Sequence, residues 1–528
     1  MAEAIIVLDP AFVVGRTDPR LFGSFVEHLG RCVYGGIFEP GHRTADDEGF
    51  RQDVLELVRE LGVTIIRYPG GNFVSGYNWE DGVGPVDRRP RRRELAWFST
   101  ETNAFGTNEF MAWCAKADLE PMLAVNLGTR GADEARELLE YCNVASGTML
   151  SDMRHEHGHP APHNVKLWCL GNEMDAPWQI GAKTAGEYGT LARESAKLMR
   201  WLDPNIELVA CGSSSRSMST FAEWERIVLE ETFDVVEYIS LHGYFSKHGD
   251  RSRDFMAEAD LVGRYIDEIV AVADGVAARR RSPKRTMLSF DEWNVWYRTR
   301  DRATRTKPGW PEAPAILEEL FTMEDALVFG AALLTLINRC NRVKAACVAQ
   351  LVNVIGLIMT ETGGRAWRQP IFYPFQHAAQ WARGTVLDMR LTCGSFEAAD
   401  GELFPDIVSA AVLAEDGKSL ALFCVNRKFD QAIDVEINLR GFEFSDFLES
   451  RVMHSDDLNA TNTADDPECV RAEDGPAATA REGVWRLTVP PASWSVFRFA
   501  CRTSRNIRFL ESAIIRGRHP TRVATDRL

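Results

Sequence analysis

The sequence predicts an α/β protein, a (β/α)8 TIM barrel with a C-terminal β-sandwich of jelly-roll type. Three observations carry that prediction. Short apolar runs alternate with amphipathic segments eight times, no glycine-rich nucleotide turn follows the first run, and the texture changes after about Gly384. The runs are Leu21–Phe25, Thr64–Arg67, Met122–Asn126, Lys166–Leu170, Glu207–Cys211, Tyr238–His242, Thr286–Phe290 and Ala346–Leu351. Continuous apolar strands of this length belong to parallel sheets buried on both faces. Helical patterns such as DDEGFRQDVLELVRELG and KTAGEYGTLARESAKLMRWLDP lie between them. Eight strand-then-helix units close into a barrel more readily than they form an open sheet. A doubly wound dinucleotide fold would need GxGxxG after its first strand, where this chain reads EHLGRCVYGG.

Beyond Gly384, segments such as IVSAAVLAEDGKSLALFCVN and VWRLTVPPASWSVFRFAC alternate in strand fashion around turn signals, Asp416-Gly417 among them. The opening AIIVLDPAFVVG also reads as strand and is expected to pair with the sandwich. The expected organisation is a barrel over 18–385, a sandwich from 1–17 plus 386–501, and a basic tail over 502–528.

A length of 528 residues fits about two domains, and 45% hydrophobic with 26% charged residues fits a globular chain. The formal net charge of -16 argues against a nucleic-acid surface, which needs concentrated Lys and Arg. The basic run Arg88 to Arg93 reads as a solvated loop. No segment reaches the ~18 to 20 apolar residues of a membrane span. Ala326 to Ile337 is too short and reads as a buried helix. The N-terminus lacks the basic and apolar regions of a secretory signal, so a cytoplasmic location is expected. Eleven cysteines without a CxxC pair fit reduced, packed thiols. HEHGHPAPH (His155 to His163) lacks HExxH spacing and reads as a surface loop rather than a metal site.

In such barrels the reactive groups sit where strands end. The fourth run leads into Asn172-Glu173 and the seventh into Asp291-Glu292-Trp293. Each puts a glutamate just past an apolar strand, where a solvated carboxylate is not expected. Two carboxylates in one barrel mouth suit glycosidic cleavage, one protonating the leaving oxygen and the other attacking the anomeric carbon. The alternative, that each is a helix-start acid near a positive dipole end, serves for one glutamate better than for both. Other strand ends offer Glu27, His28, Asn72, His242, Tyr244, Gln350 and Asn353. Trp79, Trp97, Trp178, Trp293 and Trp296 fall in the following loops, where aromatic faces suit sugar C–H faces. No cofactor motif is found, and the chemistry needs no metal.

The stretches GSFVEHLGRCVYGGIFEPGH, RYPGGNFVSGYNWEDGVGP, ETNAFGTNEFMAWC, NVKLWCLGNEMD, SLHGYF, FDEWNVWY and AQLVNVIGLIMTETGGRAWRQPIFYPF span about residues 20 to 385. They resemble the α-L-arabinofuranosidases of glycoside hydrolase family 51. The resemblance implies Glu173 as acid/base and Glu292 as nucleophile. It implies Asn172, Glu27, Asn72 and Gln350 as hydroxyl-binding groups, Tyr244 as donor to the nucleophile, and Trp97 as a pocket wall. It further implies an exo-acting retaining hydrolase of arabinose-containing oligosaccharides, assembled as a homo-oligomer, a hexamer in relatives. Gly356-Leu357 departs from the small-residue–proline pair common there. Fold alone leaves open another retaining glycosidase, such as an endoglucanase or β-xylosidase, and a non-catalytic sugar-binding barrel.

Overall fold

The protein is described from a computed structural model over residues 3–297, 309–481 and 484–503. The eight apolar runs become eight parallel strands of one closed barrel, adjacent in chain order. They are β1 (Gly23–Phe25), β2 (Ile65–Tyr68), β3 (Glu120–Ala124), β4 (Leu167–Leu170), β5 (Glu207–Ala210), β6 (Tyr238–Phe245), β7 (Met287–Val295) and β8 (Val343–Val348). The seam closes where Cys347 of β8 lies opposite Gly23 of β1. A Cβ on Gly23 would stand 2.5 Å from the Ala346 carbonyl oxygen, so a side chain there would hold the seam open.

Two strands run further than the sequence predicts. β6 continues through Tyr244 to Phe245, and β7 continues through Glu292 to Val295. Both slip register, between Ser240 and His242 and between Phe290 and Trp293. Bulges bend a strand and re-aim its side chains, and they cluster at barrel rims. His242, Tyr244 and Glu292 are therefore held by strand hydrogen bonds rather than by loops.

The predicted helices form on the barrel exterior, including Gln52–Leu61, Thr107–Ala117, Ala132–Asn143 and Ala185–Leu202. Ala185–Leu202 starts on a capping box, with Glu187 accepting from the Thr184 N–H and Thr184 Oγ1 accepting from the Glu187 N–H. Met323–Ile337 is the apolar helix predicted as buried, and all its residues are buried.

Its burial follows from what covers it. The sandwich has a five-stranded sheet, in which Ala4–Leu8 pairs with Ile433–Leu439, and a seven-stranded sheet that includes Val13–Arg16. The opening segment thus contributes a strand to each sheet. Ile6, Leu8, Leu422, Val435, Phe497 and Phe499 fill the core between the sheets. The outer face of the larger sheet, with Val412, Phe423, Val425 and Trp494, joins the barrel's own core. Trp494 lies so close to the buried helix that a Cβ on Gly330 would approach its ring within 2.7 Å.

Five peripheral expectations need amendment or context. The run Arg88 to Arg93 is only partly solvated: Arg89 is buried as an ion pair with Glu109, 2.7 Å, and Arg93 stacks over Trp310 at 4.9 Å. A guanidinium can satisfy its five donors locally, so a basic run can fold inward. His155 closes the helix Met149–Glu156 rather than lying in a loop. His163 is half-buried, hydrogen-bonds Asn108 at 3.0 Å, and burial pushes its pKa down to about 4. All eleven cysteines are free thiols. The basic tail lies outside the described residues from 504 on. Among the described residues no helix is long and apolar enough to cross a membrane.

His377 joins barrel to sandwich. Its Nδ1 accepts the Trp494 indole N–H at 3.1 Å, and burial pushes its pKa down to about 3. An unfolded histidine titrates near about 6.5, so on acidification below that pH the unfolded chain takes up a proton that the folded chain refuses. Stability contributed here is full above about 6.5 and falls as pH drops toward 3, by about 1.4 kcal/mol per unit. Asparagine, whose Oδ1 takes the place of Nδ1, accepts the same bond and does not titrate. Thermal unfolding at pH 6.5 and 5 should therefore show His377→Asn losing about 2 kcal/mol less than wild type; equal losses would contradict the assignment.

Candidate active site

A cavity of about 510 Å3 opens at the C-terminal ends of the barrel strands. Glu27, Asn72, Trp97, Glu173, Tyr244, Glu292 and Gln350 line it, together with Leu95, Phe98, Trp178, Trp296, Ile316 and Leu317. Seven of the eight predicted site residues thus meet in one cavity. The eighth, Asn172, is fully buried beneath it: its Oδ1 accepts from Arg67 at 2.7 Å, and its Nδ2 donates to Asn72 at 3.4 Å.

Local backbone explains several placements. Glu173 follows β4 with φ +45°, after Gly171 at φ +95°. A left-handed glutamate is costly, and such conformations persist where surrounding structure imposes them, often at functional sites. Gly70-Gly71 serves close approach rather than a left-handed turn, since a Cβ on Gly71 would stand 2.4 Å from Glu27 Oε2. Glu27 is thereby surrounded by donors. Its Oε1 accepts from the Phe73 N–H and the Trp97 indole, both at 2.9 Å, and its Oε2 accepts from Gln350 at 3.0 Å. Burial, reinforced by the charge of Glu292, nevertheless pushes the Glu27 pKa up to about 8.

Glu292 accepts on both oxygens, from the Tyr244 hydroxyl at 2.7 Å and from Arg67 at 2.9 Å. Burial and the Glu292 charge hold the Tyr244 phenol well above its ordinary value, so it remains a donor. Glu173 accepts from the Trp178 indole at 2.8 Å and lies 3.0 Å from His242 Nδ1. The same Nδ1 is 3.6 Å from Glu292, and His242 Nε2 is 3.3 Å from Asp291. Burial alone would discharge this imidazole, but Glu292, Asp291 and Glu173 overcome it and push its pKa up to about 10. Burial would likewise raise Asp291, and Arg67 and His242 instead hold it below the usual carboxylate range.

One oxygen each of Glu173 and Glu292 and one nitrogen of His242 lie within 4.8 Å of one another. Three such groups have the composition of a metal site. With His242 protonated, as its raised pKa favours, the cluster is a set of alternating charges, with Arg67 and His242 against Asp291 and Glu292.

Sequence reasoning did not single out Arg67. A lone arginine inside the apolar run of β2 was the available signal, because a buried charge needs a partner. His242 and Asp291 were noted by position but not as a clamp. Other expected groups lie elsewhere. His28 bonds Glu101 at 2.9 Å and Tyr68 at 2.8 Å, and Asn353 bonds Thr360 and the Arg31 carbonyl. Trp79 packs on Tyr141, and Trp293 stacks on Phe329 in the core. Tryptophan fills a core as readily as it lines a cleft, and spacing along the chain does not distinguish the two.

Two family models match the chain: the α-L-arabinofuranosidase 1 domain over residues 57–260 and the α-L-arabinofuranosidase C-terminal domain over 291–493. The chain is 53% identical over 503 residues to an intracellular exo-α-(1→5)-L-arabinofuranosidase of Streptomyces lividans, covering 95% of this chain and 76% of that protein. It is 50% identical to an exo-α-(1→6)-L-arabinofuranosidase of Bifidobacterium longum, covering 94% and 97%. The solved structure of AbfB, a family 51 α-L-arabinofuranosidase from Bifidobacterium longum, superposes with a TM-score of 0.91 at 42% identity, covering 94% of this chain and all of that one. The chain belongs to the α-L-arabinofuranosidases of glycoside hydrolase family 51.

Proposed function

We propose that the protein is a retaining, exo-acting α-L-arabinofuranosidase that removes terminal non-reducing α-L-arabinofuranosyl residues from arabino-oligosaccharides and from fragments of arabinan or arabinoxylan. The observation that carries this reading is the approach of one oxygen of Glu173 and one of Glu292 to within 4.8 Å at one cavity floor. Retaining enzymes separate their carboxyl groups by ~5 to 5.5 Å, whereas inverting enzymes leave ~6.5 to 9.5 Å for a water. Exo action and arabinofuranose as the sugar are supported by the relatives' names, which give both 1→5 and 1→6 linkages.

The sugar enters with its anomeric carbon facing Glu292 and its hydroxyls among Glu27, Asn72, Asn172 and Gln350, with Trp97 as one wall. Glu292 attacks the anomeric carbon while Glu173 gives its proton to the glycosidic oxygen, and the leaving alcohol departs with that proton. Water then gives a proton to Glu173 and attacks the same carbon, the ester bond to Glu292 breaks, and arabinose leaves with its configuration retained. Arg67 and the imidazolium of His242 offset Asp291 and Glu292, and Glu27 is uncharged below about pH 8.

The same reading puts the enzyme in the cytoplasm, as the relatives named intracellular suggest, and in a homo-oligomer, hexameric as the family resemblance implies. Its net charge of -16 argues against nucleic acid as a partner.

Release of p-nitrophenol from p-nitrophenyl α-L-arabinofuranoside tests the assignment. Glu292→Ala should lower kcat by about 10^4-fold or more, to near background, as loss of a nucleophile does. Glu173→Ala should slow oligosaccharide hydrolysis by about 10^2 to 10^4-fold, but cleavage of the aryl substrate much less, because p-nitrophenolate leaves without protonation. Equal losses on both substrates would remove Glu173 from the acid role. For wild type, kcat/KM should fall as pH rises through about 8, where Glu27 gains a charge beside Glu292. Glu27→Gln should have a lower maximum and lack that alkaline limb.

A further inference from the structure

The hairpin carrying Trp97 has an internal brace that the proposed chemistry does not use. Strands Arg92–Glu94 and Ser99–Glu101 pair with Glu94 opposite Ser99, leaving Leu95 to Phe98 as the turn. All four turn residues line the active-site cavity. Little in the turn's own composition favours its shape. Phe98 sits at φ +56°, a conformation disfavoured for a bulky side chain. Leu95 and Phe98 are 58% and 55% exposed, so their burial does not drive the turn inward.

Glu94 supplies what the turn lacks. It is 7% exposed, and its two oxygens accept the N–H groups of Ala96 and Trp97, each at 2.6 Å. Both are short bonds to a buried carboxyl group whose pKa burial pushes up to about 7. Glu101, the other acid of the hairpin, fixes the base by accepting from His28 and from the Asn103 N–H, and its bonds do not reach the turn. From outside, the Phe98 ring packs on Trp310 at 5.9 Å, and the Thr100 N–H donates to the Pro311 carbonyl at 3.0 Å. Two carboxyl groups therefore fix Trp97: Glu27 through the indole N–H, and Glu94 through the main chain.

We propose that Glu94 is a positioning residue for the sugar pocket, setting substrate affinity by holding the main chain of Trp97 without itself touching the sugar. The inference rests on the reading of Trp97 as a pocket wall. Without the carboxylate, two N–H groups lose their acceptor and the turn is free to relax. Trp97 then leaves its pose, while Glu173 and Glu292, on other elements, keep theirs. Loss of such uniform binding raises KM and spares kcat.

The test is steady-state kinetics on p-nitrophenyl α-L-arabinofuranoside with wild type, Glu94→Gln, Glu94→Ala, Trp97→Phe and the double variant Glu94→Ala/Trp97→Phe. Glu94→Ala should raise KM about tenfold with kcat within about threefold of wild type. Glu94→Gln, which keeps one acceptor, should fall between. Because Glu94 acts through Trp97, adding Glu94→Ala to Trp97→Phe should change KM by less than about twofold. Glu94→Gln keeps the test valid if the alanine variant does not fold, with its thermal midpoint measured alongside. A wild-type KM in folded Glu94→Gln, or KM factors that multiply independently in the double variant, would overturn the inference alone. An inactive wild type would overturn the arabinofuranosidase reading itself.

Discussion

Arg67 is a cation sealed inside the barrel, and the site is arranged around its neutralisation. Its guanidinium reaches Glu292 and Asn172 directly and lies over the Phe25 ring at 4.7 Å. Removing an ion from water costs several kcal/mol even after relaxation, so a buried cation is tolerable only with its partners in place. Deleting one partner of such a pair costs about 3–5 kcal/mol, because the other charge stays behind. Arg67 thus ties β2 to the Glu292 carboxylate of β7, while His242 of β6 ties Glu292 and Asp291 to Glu173 beyond β4. The two glutamates to which the proposal gives the chemistry also belong to the set that neutralises the centre, which holds their positions before any substrate arrives.

A charge cluster of this kind needs a stiff frame. The bulges of β6 and β7 aim His242 and Glu292 into the mouth from within hydrogen-bonded strands. Behind β7, Trp293 stacks on Phe329 of the buried helix, and that helix is pressed in turn against the sandwich sheet by Trp494. Packing at interior density transmits displacement with little give. The sandwich therefore supports the site without contributing a residue to its lining, and the path runs from Trp494 through the helix to the strand that bears Glu292.

Much of this was legible in the sequence, for identifiable reasons. The barrel follows from a local signal, apolar runs of strand length spaced by amphipathic helices, and its eight units all appear in order. Glu173 and Glu292 could be found because a carboxylate after an apolar strand is anomalous by itself. What the sequence hid is what depends on partners far along the chain. His242 belongs to a clamp whose other members are 69, 49 and 50 residues away in Glu173, Asp291 and Glu292. Nothing local marks it as an imidazolium. Glu94 looks like an ordinary hairpin acid until the turn beside it is seen to form the cavity wall. Trp79 and Trp293 illustrate the reverse error, since residue type without depth does not separate core from cleft. Arg67 stood in plain view within an apolar run, and the demand that a buried charge be paired was the clue.

The central claim, that two carboxylates this close act by double displacement, is tested most directly by the stereochemistry of the first product. Proton NMR of wild-type enzyme hydrolysing an α-L-arabinofuranoside in D2O, recorded before mutarotation, reports the anomer released. Initial appearance of α-L-arabinofuranose is the result this account predicts, because each displacement inverts the anomeric carbon once. Initial appearance of the β anomer would mean a single displacement by water, and would contradict the role given to Glu292.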